Sequence, residues 1–123
     1  MIPAAAKTLA DRVAIVGVGN TAFARSLGRD PYLLGAEAFK NALEDAGLRK
    51  EQVDGFHPIW IDYDKTAKVL GLNVRFGNQS WWHGRLMGNI LLEAVLALNS
   101  GMANYFAIIM SSDAGSQRRT YSY

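Results

Sequence analysis

Leu86-Met87-Gly88-Asn89-Ile90-Leu91-Leu92-Glu93-Ala94-Val95-Leu96-Ala97-Leu98-Asn99-Ser100 is apolar almost all round, interrupted only by Asn89, Glu93 and Asn99. A helix on a protein surface shows a polar stripe to water, and one without such a stripe is covered on most sides. This stretch predicts a buried helix, and with it another layer or another chain to cover it. Asn99-Ser100-Gly101 closes the helix. Tyr105-Phe106-Ala107-Ile108-Ile109-Met110 follows as a continuous apolar run, the form of a buried parallel strand.

Toward the N-terminus the same alternation of elements recurs. Arg12-Val13-Ala14-Ile15-Val16-Gly17-Val18-Gly19 reads as a first strand closed by glycines. Asp30-Pro31 then opens a helix, with Asp30 as N-cap and proline in the first turn. Leu33, Leu34, Ala36, Ala38, Phe39, Ala42, Leu43 and Ala46 recur at helical spacing, and Gly47 ends the helix. Residues 53–60 predict a second strand, 63–70 a short helix stopped by Gly71, and 74–76 a short strand. The order predicts an α/β layered fold with a mostly parallel sheet. In that sheet residues 12–18 and 105–110 are expected as neighbours, with helix 86–100 packed on them. The chain is read as one domain, 1–123, with 112–123 an irregular tail.

Composition narrows the function. Half of the 123 residues are apolar, enough for a real core, and 13 basic residues against 11 acidic leave a net charge of only +2. The basic residues are scattered, which argues against nucleic acid. There is no cysteine, so disulfides, thiolate zinc sites and a cysteine nucleophile are excluded together. Met1 to Lys7 lacks the features of a secretory signal, and residues 90–98, the longest apolar stretch, are too short to span a bilayer. A soluble, cytoplasmic protein is the expectation. Gly17-Val18-Gly19-Asn20-Thr21-Ala22 meets the loose dinucleotide fingerprint. The polar stretch before Pro31 keeps any helix start away from it, so a plain strand-to-loop exit is favoured. Asp62 and Asp64 lack a third ligand and read as helix-flanking or capping residues, so no metal is expected.

Three segments in order carry a family likeness. Val13-Ala14-Ile15-Val16-Gly17-Val18-Gly19-Asn20-Thr21 with Phe23 and Arg25 resembles the opening of thiolase-like proteins of the lipid-transfer type. Ala36-Glu37-Ala38 through Ala42-Leu43-Glu44-Asp45-Ala46-Gly47-Leu48 to Val53-Asp54-Gly55 is similar to their first helix and second strand. Residues 94–105 are similar to their buried helix, glycine turn and next strand. The likeness covers roughly residues 12–112. It implies the N-terminal half of a fold in which two similar halves stack as five layers, usually in dimers.

The resemblance also implies a site. In that family a cysteine stands at the N-terminus of the buried helix, facing the acyl-CoA thioester, where the helix dipole and backbone amides stabilise its thiolate. Counting back from Gly101 puts that position at Gly84, within Trp81-Trp82-His83-Gly84-Arg85. With no thiol there, the acyl-enzyme route through cysteine is closed. His83 and Gly84 are the candidate substrate-binding residues, as an imidazole and a backbone amide beside the thioester. A serine substitute needs a paired base, and on this reading the one near the helix start is His83, with Ser80 on the same loop. His57, before Pro58, is expected to be structural. Catalytic residues are not assigned.

Relatives without the cysteine include retro-aldolases of β-hydroxyacyl-CoA thioesters, often with a small OB-fold partner. Their acid–base residues lie in the second half of the fold. The expected function is therefore part of such an enzyme of acyl-CoA metabolism, inactive alone. CoA enters as the thioester substrate, with no cofactor, and the expected partners are a second copy or a chain supplying the other half. The alternative is a non-catalytic subunit that completes a thiolase-fold assembly.

Overall fold

A computed structural model describes residues 8–81 and 86–113. The elements run α1 (Pro31–Ala46), a 3-10 turn (Lys50–Gln52), β1 (Gly55–Ile59), α2 (Tyr63–Leu70), β2 (Phe76–Gly77), α3 (Met87–Asn99) and β3 (Phe106–Met110). The strands form one parallel sheet in the order β2-β1-β3. The α/β class and the parallel sheet agree with the sequence reading.

Local chemistry sets the helix ends. The Asp30 carboxylate accepts from Tyr32 N and Leu33 N, and Pro31 occupies the first turn, where a missing N–H costs nothing. Gly47 and Gly71 close α1 and α2 at φ 67° and 65°, a left-handed geometry that a side chain would strain. Asp62 caps α2 by accepting from Lys65 N at 2.8 Å, the capping role expected of it. Among the described residues no group of acidic or histidine side chains is arranged to hold a metal ion.

β1 is buried along its whole length, as a central strand flanked by helices should be. Successive side chains of a strand point to opposite faces. Phe56 joins Phe39 of α1, Leu70 of α2, Val53, Ile61 and Ile109 in the main core. Its neighbour His57 turns to the other face and meets Glu93 of α3. The core therefore sits between the sheet and the α1–α2 layer, and α3 covers the opposite side.

Asp54 ties the three strands at one end. Its carboxylate accepts from Asn104 N, Asn104 Nδ2 and Tyr105 N, while its carbonyl accepts from Arg75 N and Phe76 N. Burial alone would raise its pKa, but the bonds from Tyr105 and Asn104 and the charge of Arg75 outweigh it and hold the carboxyl below its ordinary 3.8.

Two expectations are corrected. Residues 12–18 are not a strand beside β3, whose partner is β1. They run along α1, with Val18 N donating to Asp45 Oδ2, and Asn41 Nδ2 donating to Asn20 O. The cause lies in the glycines: a side chain at Gly17 would strike Ala42 O and Ala46, and one at Gly19 would strike Ala38 O and Ala42 N. The Gly-x-Gly pair thus serves close approach to the middle and end of a helix, not a phosphate at a helix start. Between this segment, α1, α3 and β3 lies a cavity of about 920 Å³.

The second correction concerns the predicted buried helix. α3 puts Ile90, Ala94 and Ala97 against the sheet, but Leu91, Leu92 and Leu96 are 41 %, 51 % and 50 % exposed. A three-stranded sheet covers one side of the helix, and the described residues provide no layer for the other. Among the described residues no helix is long and apolar enough to cross a membrane.

Candidate functional site

The sheet and α3 bring three side chains into series. His57 lies in the middle of β1 with its side chain 3 % exposed. Its Nε2 is 3.1 Å from Ser80 Oγ, and its Nδ1 is 3.2 Å from Glu93 Oε2. Ser80 is buried at 7 %, while the Glu93 side chain keeps 22 % of its surface. The Nδ1–carboxylate contact has the distance of an ion pair without the alignment of a hydrogen bond, and Glu93 Oε1 is buried with no hydrogen-bond partner. Asn78 Nδ2 donates to the same Oε2 at 3.4 Å.

Backbone geometry explains why Ser80 stands there. Pro58 offers no N–H to the ladder, so on this side β1 is joined through carbonyls: Asn78 N donates to Phe56 O and Ser80 N to Pro58 O. Ser80 then bridges to Ile59 as an isolated parallel pair. Just beyond, Trp60 sits at φ 66°, a left-handed conformation rare for a bulky residue. It is held by Trp60 N donating to Ser80 O and Nε1 donating to Trp81 O. Such strain persists only where neighbours over-determine it, and it clusters at functional sites.

The cluster flanks the segment that the sequence singled out. Ser80 and Trp81 lead into it, and α3 begins at Met87 on its far side. His83 and Gly84 themselves, with Trp82 and Arg85, lie outside the described residues. His57, read from sequence as structural, is indeed in the sheet, yet it is also the imidazole paired with Ser80. Glu93 was missed as a site residue. The signal was present: a lone acid in an apolar helix and a lone histidine in an apolar strand each need a partner, because burying an uncompensated charge is costly.

A parallel sheet with α1 and α2 on one face and α3 on the other is the layering of a thiolase-like α/β half. Comparison with known proteins agrees. The 17-hydroxy-3-oxo-4-pregnene-20-carboxyl-CoA lyase of Mycobacterium tuberculosis is 32 % identical over 100 residues, covering 78 % of this chain and 26 % of the lyase. A steroid side-chain-cleaving aldolase of Thermomonospora curvata is 30 % identical over 94 residues, covering 73 % of this chain and 24 % of that protein. Among solved structures, an Ltp2–ChsH2(DUF35) aldolase superposes with TM-score 0.64 at 30 % identity, over 73 % of this chain and 25 % of that one. A monomeric SCP2-thiolase-like protein type 1 of Mycobacterium smegmatis shares the fold at TM-score 0.58 and 21 % identity, over 72 % of this chain and 21 % of its own. No family model matches. Over about 73 % of its length the chain has the thiolase-like, lipid-transfer fold, and it spans about a quarter of the length of the curated relatives it matches.

Proposed function

We propose that this chain forms part of a retro-aldolase that cleaves β-hydroxyacyl-CoA thioesters, with the acid–base residues supplied by another polypeptide segment. The observation that carries the reading is a thiolase-like half with no cysteine in its sequence, among relatives whose names describe a CoA lyase and an aldolase. Thiolase chemistry needs a thiolate as nucleophile and leaving group. Retro-aldol cleavage does not. A base takes the β-hydroxyl proton, the Cα–Cβ bond breaks to leave a carbonyl at Cβ, and the electron pair passes to the thioester enolate, which is then protonated.

In this reading His83 and Gly84 face the thioester, and CoA is part of the substrate. Steroid side-chain thioesters are the first substrates to test, in keeping with the relatives' names. The working unit is an oligomer or a pairing with a chain that completes the fold, with a small OB-fold protein as a further partner. A cytoplasmic location suits such substrates.

The test is to incubate the native assembly with a β-hydroxyacyl-CoA and follow products by mass spectrometry. The expected result is a shortened acyl-CoA and a carbonyl compound in equal amounts, without consumption of free CoA. Thiolysis of a 3-ketoacyl-CoA by the same preparation would overturn the reading.

A further inference from the structure

We propose that Ser80 is an activated nucleophile, with His57 as its general base and Glu93 stabilising the imidazolium, and that it accepts an acyl group from an activated ester or thioester. The inference stands on the geometry of these three residues and does not need the retro-aldolase reading. Nucleophile and base are 3.1 Å apart, within the reach that direct proton transfer requires. The carboxylate stands 3.2 Å from the other ring nitrogen, at ion-pair distance though not aligned as a hydrogen bond. Nucleophilic relays of this kind are recognised by geometry and roles, not by fold or chain order.

A purely structural serine–histidine hydrogen bond does not explain Glu93. A neutral imidazole would be satisfied by Ser80 and one backbone or amide acceptor. Instead its Nδ1 faces a carboxylate, and neither that nitrogen nor Glu93 Oε1 has a hydrogen-bond partner among the described residues. A carboxylate at this ring nitrogen is placed to stabilise the positive charge that forms on the ring when Ser80 attacks. Asn78 Nδ2 donates to the same carboxylate. Ser80 is 7 % exposed against 2 % for His57, and the next residue, Trp81, is 54 % exposed.

The step balances within these groups. Ser80 Oγ bonds to the acyl carbonyl carbon as its proton passes to His57 Nε2. The bond from that carbon to the leaving sulfur or oxygen then breaks, and His57 returns the proton to the departing thiolate or alkoxide. The products are the acyl ester of Ser80 and a free thiol or alcohol. The loop serine thus has a paired base after all, provided by the strand.

The protein itself supplies a control. Ser111 is as buried as Ser80, at 6 %, but its hydroxyl donates to Pro31 O and among the described residues no imidazole is paired with it. The chain is treated with p-nitrophenyl acetate and, separately, with a fluorophosphonate, and adducts are located by peptide mass spectrometry. The expected adduct is on Ser80 and not on Ser111. It is absent in Ser80→Ala and forms about 100-fold more slowly in His57→Gln, the usual range for loss of a general base. Glu93→Gln, which keeps the imidazole in place, slows it at least about tenfold, and circular dichroism checks that each variant retains its fold. Absence of an adduct on Ser80, equal labelling of Ser80 and Ser111, or a Ser80 rate unchanged in both relay variants would overturn the proposal. A retro-aldolase assay is unaffected by this outcome, so the two readings fail separately.

Discussion

Asp54 shows how one side chain can hold a sheet edge. Asp54→Ala removes three accepted hydrogen bonds and leaves Asn104 and Tyr105 donors without partners, so the expected loss is about 2–3 kcal/mol, read from urea unfolding. The carboxyl is depressed in the folded state, so its stabilisation is complete above the unfolded value of 3.8 and is lost as pH falls through the folded value. Wild type should lose stability in that acid window faster than Asp54→Asn. Parallel acid curves for the two proteins would remove Asp54 from the account. This residue was legible only as part of a strand start, because its partners lie 50 positions away. The same distance in sequence hid the pairing of His57 with Ser80, which are 23 positions apart. Composition marks a buried ionisable residue, but only the fold chooses its partner.

At the scale of elements, what was written locally was legible and what needed a neighbour was not. Asp30, Pro31 and Gly47 set α1, and Asp62 and Gly71 set α2, each by chemistry within one turn of the helix end. Asp30→Ala should cost about 1 kcal/mol in thermal or urea unfolding, the ordinary value of a lost N-cap, and no loss would contradict the capping role. Residues 12–18 have the composition of a strand, yet strand formation requires a partner edge, and here the glycines set the segment on α1 instead. Gly19→Ala should lift it away, because the added methyl meets Ala38 O and Ala42 N. The Val18 amide, bonded to Asp45, should then exchange at least about tenfold faster with solvent deuterium, with little change in global stability. Unchanged protection at Val18 would show that the contact is looser than drawn. The α3 pattern was legible as a helix, but the burial expected on most sides is met on one face alone among the described residues, where Ile90, Ala94 and Ala97 pack and Leu91, Leu92 and Leu96 stay exposed.

The whole molecule presents leucines 91, 92 and 96 of α3 to solvent, and the described pairings of β3 are all with β1. Contiguous apolar surface and an unpaired strand edge both favour association. Leu92→Lys or Leu96→Lys should weaken that association without unfolding the chain, because these positions already face outward. Sedimentation of the variants against wild type checks this, and unchanged mass would place the contact elsewhere. The central claim is that this thiolase-like half works only when those faces are covered by further polypeptide. Native mass spectrometry of the protein purified from its own cells tests it most directly. The account predicts an assembly well above the 13.5 kDa of the chain, containing a second copy or a segment that completes the fold, with dye binding to exposed apolar surface appearing only when the chain is isolated. A monodisperse 13.5 kDa monomer that binds no such dye and cleaves β-hydroxyacyl-CoA unaided would contradict it.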